Sequence, residues 1–249
     1  DHPADSQAVV LLNRAGTFRR AAGWERSLGA LGQVSSAVLV DMDADGDADL
    51  LVSRDLGSIG LFDNRGDRFV DISGPAGLAR FTGMWQGLAV GDFDNDGRAD
   101  FAAGNLGRNS PMEPYCDALV HLGRGGESRL SLFALKRGDV FLPVDDMDLV
   151  SRVVDRARLP RTHREFSGID LATVLESFDG LKQTRLNCFE SSVFLNRVGT
   201  FERRALPYPA QWSPASGINV ADFDNDGRDD LLLSQNWYSL RPDLGRLDS

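Results

Sequence analysis

Cysteine is scarce: there are two, Cys116 and Cys188, in 249 residues. Two are too few for a disulfide framework, and neither belongs to a CxxC pair of the kind that holds zinc or cycles redox equivalents. They flank a segment of different character, so two readings stand: one bridge across its base, or two buried thiols. Only three histidines occur, His2, His121 and His163, and none sits near an acid in a pattern that makes a zinc site or a catalytic triad. GxSxG, P-loop and Rossmann fingerprints are absent. No apolar run is long enough to span a membrane, which excludes membrane insertion by a helix. The first residues, DHPADSQAVV, carry neither the basic nor the apolar region of a signal peptide. Positive charge is in deficit, 27 Lys and Arg against 37 Asp and Glu, and the formal charge of −10 argues against nucleic acid as the main partner.

What the chain does have is aspartate in a fixed arrangement. Asp92 to Asp100 reads DFDNDGRAD, with aspartates at positions 1, 3, 5 and 9 and Gly97 at position 6. Carboxylates on alternate residues cannot all face one point from a regular helix, but a chain that loops around a point can aim them there. Gly97 supplies the positive φ that such a loop needs. Several oxygens around one centre suit a hard cation, and Ca2+ takes about six to eight of them at roughly 2.3–2.6 Å. The backbone carbonyl at position 7, that of Arg98, is a further candidate ligand.

The loop recurs, and the recurrence decides the fold. Equivalent stretches run from Asp41 to Asp49 (DMDADGDAD) and from Asp222 to Asp230 (DFDNDGRDD). Each follows a short apolar run (AVLV, GLAVG, GINVA) and precedes another (LLVS, FAAG, LLLS), so each loop joins two buried strands. A second signature comes 26 to 28 residues ahead of each loop, counted from its asparagine: LLNRAGTF, LFDNRGDRF and VFLNRVGTF. It reads as strand, a turn built on Asn and Gly, then a strand that begins with Phe. The unit is four short strands in about fifty residues, the size of a propeller blade. The expected fold class is therefore all-β, a β-propeller of four-stranded blades.

Between the second and third loops the spacing grows from 51 to 130 residues. Residues 118–144 read as strands around the turns RGGES and KRGD, a blade that has lost its aspartate loop. Beyond them the pattern turns helical. Val150, Val153, Val154 and Ala157 share one face and Pro160 ends that helix; Leu171, Val174, Leu175 and Phe178 line another. The expected organisation is propeller blades over 1–144, an inserted helical hairpin over 145–182, and further blade over 183–249. Both ends fall inside a repeat, so the expectation is a partial propeller from a longer protein.

DxDxDG also opens an EF-hand, but that site needs a bidentate Glu at position 12 and flanking helices; here position 12 is Val52, Ala103 or Leu233 and the flanks are strands. Solvated turns would not recur three times with the same flanks. Asp47 at position 7 is expected to face solvent, Asn95 and Asn225 at position 4 to shape the loop, and Asp229 at position 8 to point away. The triplets Arg65-Gly66-Asp67 and Arg137-Gly138-Asp139 read as hairpin turns rather than recognition peptides. Arg152, Arg156, Arg158, Arg161 and Arg164 read as a solvated face, with an anionic ligand as the alternative. Trp85 and Trp212 read as packing between blades, with a sugar-stacking platform as the alternative.

The loop DxDxDGxxD between two apolar strands resembles the FG-GAP/VCBS repeat, the repeat of the integrin α-chain propeller. The forms DFDNDGRAD and DFDNDGRDD are most similar to the branch that contains cartilage acidic protein and the ASPIC/UnbV-type bacterial proteins. The resemblance covers about 1–110 and 190–240 and leaves the insertion uncovered; the FG and GAP elements themselves are degraded. It implies a propeller whose loops bind up to three Ca2+ ions. The implied ligands are Asp41, Asp43, Asp45 and Asp49 with the carbonyl of Asp47; Asp92, Asp94, Asp96 and Asp100 with that of Arg98; and Asp222, Asp224, Asp226 and Asp230 with that of Arg228. Three Ca2+ would bring the net charge from −10 to −4, so the acidity is mostly metal site. The resemblance further implies an extracellular, periplasmic or cell-surface location and a non-catalytic adhesion or recognition role toward a protein or carbohydrate. A polysaccharide lyase or hydrolase on the same scaffold is the alternative, and partner docking by the helical insertion is a third reading.

Overall fold

The computed structural model describes residues 8–29, 31–109, 118–122, 131–137, 139–143, 147–151, 157, 159–170, 182–237 and 247–248. They form an all-β fold of antiparallel sheets with few helical turns. The chain divides into two compact units, one over Pro111–Cys188 and the other over Ala4–Ser110 and Phe189–Ser249.

The larger unit carries all three aspartate loops. A first hairpin pairs β1 (Leu11–Arg14) with β2 (Thr17–Arg20) and leads into α1 (Ala22–Leu28). Sheet A follows: β3 (Val34–Val40), the first loop, β4 (Asp49–Arg54), β6 (Gly60–Asn64) and β7 (Phe69–Asp71), in that spatial order. Between β4 and β6 lies β5 (Gly57–Ser58), which pairs with β8 (Thr82–Gly83). Sheet B has β9 (Leu88–Gly91), the second loop, β10 (Asp100–Ala103), β15 (Ser192–Asn196) and β16 (Phe201–Ala205). In sheet C, β17 (Ala215–Ala221) and β18 (Asp230–Trp237) flank the third loop, and β19 (Leu247–Asp248) pairs with the end of β18.

Sheets A and B thus share one plan: two strands joined by an aspartate loop, then the Asn-Gly hairpin. The sequence repeat is confirmed in period but shifted in phase. The first two loops each join the hairpin that follows, not the one that precedes. Cross-strand neighbours show the equivalence, Leu50 opposite Phe62 in sheet A and Phe101 opposite Phe194 in sheet B. The long spacing between the second and third loops falls inside sheet B, between its second and third strands.

The smaller unit holds the segment read as a loopless blade. Its strands β11 (Ala118–Leu122), β12 (Ser131–Arg137) and β13 (Val140–Pro143) are joined by β14 (Lys182–Leu186) in a sheet of order β13-β12-β11-β14. Of the expected helical hairpin, one turn is seen at α2 (Met147–Val150), with Val150 buried. The face formed by Leu171, Val174, Leu175 and Phe178 lies outside the described residues, as do Val153 and Val154. A helical turn not expected from the periodicity, α3 (His163–Phe166), begins with a capping box in which Thr162 Oγ1 accepts from Glu165 N at 3.3 Å. The T-x-x-E signature at Thr162–Glu165 was available to find it. Cys188 is buried, and Cys116 lies outside the described residues, so the choice between a bridge and two thiols does too.

The inner strands β6 and β10 are buried on both faces, so their burial is near-continuous and does not alternate with the pleat. In sheet A, Leu28, Leu31, Val52, Phe62 and Phe69 form one cluster, with Trp24 packed edge-on to Phe69 at 5.0 Å. In sheet B, the Phe101 and Phe194 rings stack at 4.7 Å, and Trp85 meets Phe194 at 5.6 Å. Trp85 is fully buried, as its core reading requires. Trp212 is not: it is 43% exposed and lies edge-on to Tyr208 at 6.4 Å. The triplet Arg65-Gly66-Asp67 is the β6–β7 turn, closed by Arg65 N donating to Arg68 O at 2.9 Å. The first hairpin differs from the other two in burial. Phe18 is 64% exposed, whereas its equivalents Phe69 and Phe201 are buried.

The first strands of the three sheets, β3, β9 and β17, lie side by side. Sheets B and C meet so closely that only glycine fits. A Cβ on Gly104 would lie 1.9 Å from Ala215 O, and one on Gly87 would lie 2.7 Å from Ser216 O. Gly87 N donates to Ala215 O at 3.2 Å, so the neighbouring atoms are backbone that cannot swing aside. Gly104→Ala is therefore expected to destabilise the protein by about 3 kcal/mol, the upper end of overpacking costs, measured by urea unfolding. A loss below about 0.5 kcal/mol would show that the sheet B–sheet C contact is looser than described.

Candidate metal centres in the aspartate loops

Each loop is built by its own carboxylates before any ligand is considered. The aspartate at position 1 accepts two backbone N–H groups, from positions 5 and 6. Asp41 accepts from Asp45 and Gly46 at 3.1 and 3.0 Å, and Asp92 from Asp96 and Gly97 at 3.0 and 2.8 Å. Asp222 accepts from Asp226 and Gly227 at 3.1 and 2.9 Å. The aspartate at position 5 accepts from position 7: Asp47 N, Arg98 N and Arg228 N reach Asp45, Asp96 and Asp226 at 2.9, 3.0 and 2.9 Å. The chain curls this tightly because positions 4 and 6 are left-handed. Ala44, Asn95 and Asn225 have φ of 62°, 59° and 61°, and Gly46, Gly97 and Gly227 have φ of 95°, 82° and 85°. Asn tolerates that region through local hydrogen bonding, which explains it at two of the three positions.

The result brings carboxylate oxygens together. Asp41, Asp43 and Asp45 offer ligand atoms within 4.8 Å of one another, as do Asp92, Asp94 and Asp96, and Asp222, Asp224 and Asp230. Position 9 behaves differently in the first two loops. Asp49 is buried, and its two oxygens accept from Met42 N at 3.1 Å and Asn64 N at 2.8 Å. Asp100 is equally buried and accepts from Phe93 N at 3.0 Å and Asn196 N at 2.7 Å. Asp230 accepts from Phe223 N at 2.9 Å and keeps its place in the third cluster. Asp226, at position 5, stands outside that third group.

The hairpin asparagine completes the join. Asn64 Nδ2 donates to Ala48 O at 2.9 Å, and Asn196 Nδ2 to Ala99 O at 3.3 Å, the carbonyl at position 8 in both loops. Other bonds link neighbouring loops. Asn196 Nδ2 also donates to Met42 O at 2.9 Å, Asn95 Nδ2 to Gly227 O at 3.2 Å, and Asp92 N to Asp229 Oδ2 at 2.8 Å. Asp229, turned from its own loop, thus ties the third loop to the second. The three loops form one connected edge of the unit.

Two residues at this edge were not picked out by sequence reasoning. Asp63, on β6 just before the hairpin asparagine, is 2% exposed, and its Oδ1 has no hydrogen-bond partner among the described residues. Burial pushes its carboxyl up, the Arg65 charge pulls it back, and the nearby charges of Asp43 and Asp45 add to the rise. Arg197, just after the asparagine of the second sheet, donates to Asp94 Oδ2 at 2.7 Å and lies 3.4 Å from Asp96 Oδ2. Its hydrogen bond holds the Asp94 carboxyl below the usual range. Burial, only partly offset by their backbone donors, raises Asp49 and Asp100, with neighbouring loop carboxylates adding to it. Aligning the three Asn-Gly hairpins would have exposed Asp63, which stands where the others carry Leu12 and Leu195.

The donors fit a hard divalent cation. All are oxygen, three carboxylates converge in each loop, and Asp94 Oδ1 is buried with no hydrogen-bond partner among the described residues. A family model described as the FG-GAP-like repeat matches residues 41–103, from the first residue of the first loop to the last of β10. No curated protein matches the chain. Among the described residues no helix is long and apolar enough to cross a membrane.

The two kinds of carboxylate make opposite predictions. Asp100→Ala orphans two backbone N–H groups, each worth about 1–3 kcal/mol when buried without a partner. It is expected to cost about 3 kcal/mol with or without added cation, read by chemical denaturation in chelator and in Ca2+. Asp94→Ala removes only a half-exposed pairing and is expected to cost less than about 1 kcal/mol in chelator. A small loss for Asp100→Ala would deny it the latching role.

Proposed function

We propose that the chain is a set of β-propeller blades clasped by Ca2+, acting as a non-catalytic extracellular, periplasmic or cell-surface module for adhesion or ligand recognition. The observation that carries this is the threefold recurrence of one carboxylate cluster at one joint of the sheet, the turn between its first two strands. Four-stranded antiparallel sheets with their first strands side by side support the propeller, and the FG-GAP-like match supports the same architecture. The loops DFDNDGRAD and DFDNDGRDD favour the branch with cartilage acidic protein and the ASPIC/UnbV-type proteins.

In this reading Asp41, Asp43 and Asp45 hold the first ion, Asp92, Asp94 and Asp96 the second, and Asp222, Asp224 and Asp230 the third, with Asp226 and the carbonyls of Asp47, Arg98 and Arg228 within the same loops. A bound cation supplies positive charge that cancels carboxylate repulsion. The chain's part is to curl each loop and to tie it, through Asp49 and Asp100, to the next hairpin. All-oxygen sets of this size suit Ca2+ better than Mg2+, which keeps its waters and demands near-octahedral geometry. Carbohydrate is the ligand class favoured by one further observation, the exposed Tyr208–Trp212 pair, which offers two aromatic faces for stacking. That pair supplies no acid or base, so it supports saccharide binding more than the polysaccharide-active enzyme that is the alternative.

Ca2+ binding to the folded state alone must stabilise it, by about 2.7 kcal/mol per site at a hundred times Kd. The expected result is a higher Tm in millimolar Ca2+ than in chelator, with Mg2+ less effective. The rise should vanish in the triple variant Asp43→Asn, Asp94→Asn, Asp224→Asn. An unchanged Tm on chelation would overturn the metal reading.

A further inference from the structure

The first two loops are not equivalent, and the difference lies in the hairpin arginine. Asn64-Arg65 and Asn196-Arg197 occupy the same place in sheets A and B, since both asparagines cap position 9 and donate to position 8. Yet the arginines pair differently. Arg197 reaches across to Asp94 and Asp96, two of the three clustered carboxylates of the second loop. Arg98, at position 7 of that loop, pairs with Asp96 as well. Arg65 instead pairs with Asp63, the side chain just before its asparagine. In sheet B that position is Leu195, which offers an arginine nothing. Among the described residues, no arginine or lysine pairs with Asp41, Asp43 or Asp45.

Resting on the cation-binding reading of the loops, we propose that the residue before the hairpin asparagine decides whether the hairpin arginine competes with the cation. Asp63 holds Arg65 off the first loop, and Leu195 leaves Arg197 lodged in the second, so the first site fills at lower Ca2+ than the second. The chemistry is direct competition for the same oxygens. A guanidinium donates charge-assisted hydrogen bonds to carboxylates and cannot be deprotonated to leave. A cation entering the second loop must displace it from Asp94 or share that carboxylate with it. Position 7 acts in the same direction, with Asp47 in the first loop and Arg98 in the second. The module is then graded in its response to Ca2+: the joint within sheet A is clasped first, and the joint within sheet B tightens only as Ca2+ rises further.

The test uses the full chain and calorimetric Ca2+ titration, one loop intact at a time. With the first and third loops disabled by Asp43→Asn and Asp224→Asn, the remaining site reports the second loop. There Arg197→Gln is expected to tighten Ca2+ binding by about tenfold, the scale of one charge-assisted hydrogen bond. Arg197→Lys is expected to give an intermediate value. With Asp94→Asn and Asp224→Asn, the remaining site reports the first loop, and Asp63→Leu is expected to weaken it by about tenfold. Adding Arg65→Gln to Asp63→Leu should restore that affinity, which separates holding the arginine away from ligating the ion. Arg65 and Arg197 are surface side chains, and circular dichroism of each variant checks that the fold is kept. If the unaltered chain takes up no Ca2+, the cation reading itself fails. If it binds Ca2+ but Arg197→Gln leaves the second loop unchanged, or Arg65→Gln fails to rescue Asp63→Leu, the competition is overturned and the cation reading stands.

Discussion

At the ninth residue of an aspartate loop, a buried carboxylate accepts one N–H from inside the loop and one from the hairpin that follows. Asp49 does this with Met42 and Asn64, and Asp100 with Phe93 and Asn196. The second of these bonds spans the insertion, joining residues 96 apart in sequence. Most features of the larger unit depend on that join. It fixes the register of the second and third strands of a sheet and places the hairpin asparagine over the loop. In sheet B it also sets Arg197 at the mouth of the carboxylate cluster. A carboxylate can do this only because its two oxygens point apart; an amide in the same place would offer a single acceptor.

The join also separates two roles that look alike in sequence. Twelve aspartates sit at positions 1, 3, 5 and 9 of three loops, and the motif treats them as one set. In the structure, those at positions 1, 3 and 5 of the first two loops converge, while those at position 9 turn inward to backbone donors. The third loop departs from this, and Asp230 lies among the clustered ligands. Among the described residues its carboxylate accepts from Phe223 N, the counterpart of Met42 N and Phe93 N in the other two loops. Position 9 is thus a latch to the following hairpin in the first two loops, and in the third it stands with the clustered carboxylates.

The antiparallel β character, the period of the repeat and the loop as a carboxylate-lined turn could all be read from the chain. Those features arise from local rules, short apolar runs such as AVLV and LLVS, Gly at the left-handed position 6, and Asn-Gly turn chemistry. The phase of the repeat could not be read, because hairpin and loop alternate at near-constant spacing and either neighbour could complete a sheet. Pairing of Phe101 with Phe194 chose the one that follows. Trp85 and Trp212 show the same limit. Both stand a few residues ahead of a loop, but one is enclosed by Phe194 and the other lies in the open beside Tyr208.

The sequence by itself determined that three acidic loops exist, that strands flank them, and that the glycine at position 6 must be left-handed, since short-range sterics and hydrogen bonding set all of these. The tertiary structure decided what each carboxylate faces. Asp63 and Arg197 carry no motif of their own, and their meaning comes from the strand pairing that carries them to the loops. Electrostatic pairing depends on distance in space, and for residues as far apart in the chain as Arg197 and Asp94 only the closed sheet supplies it.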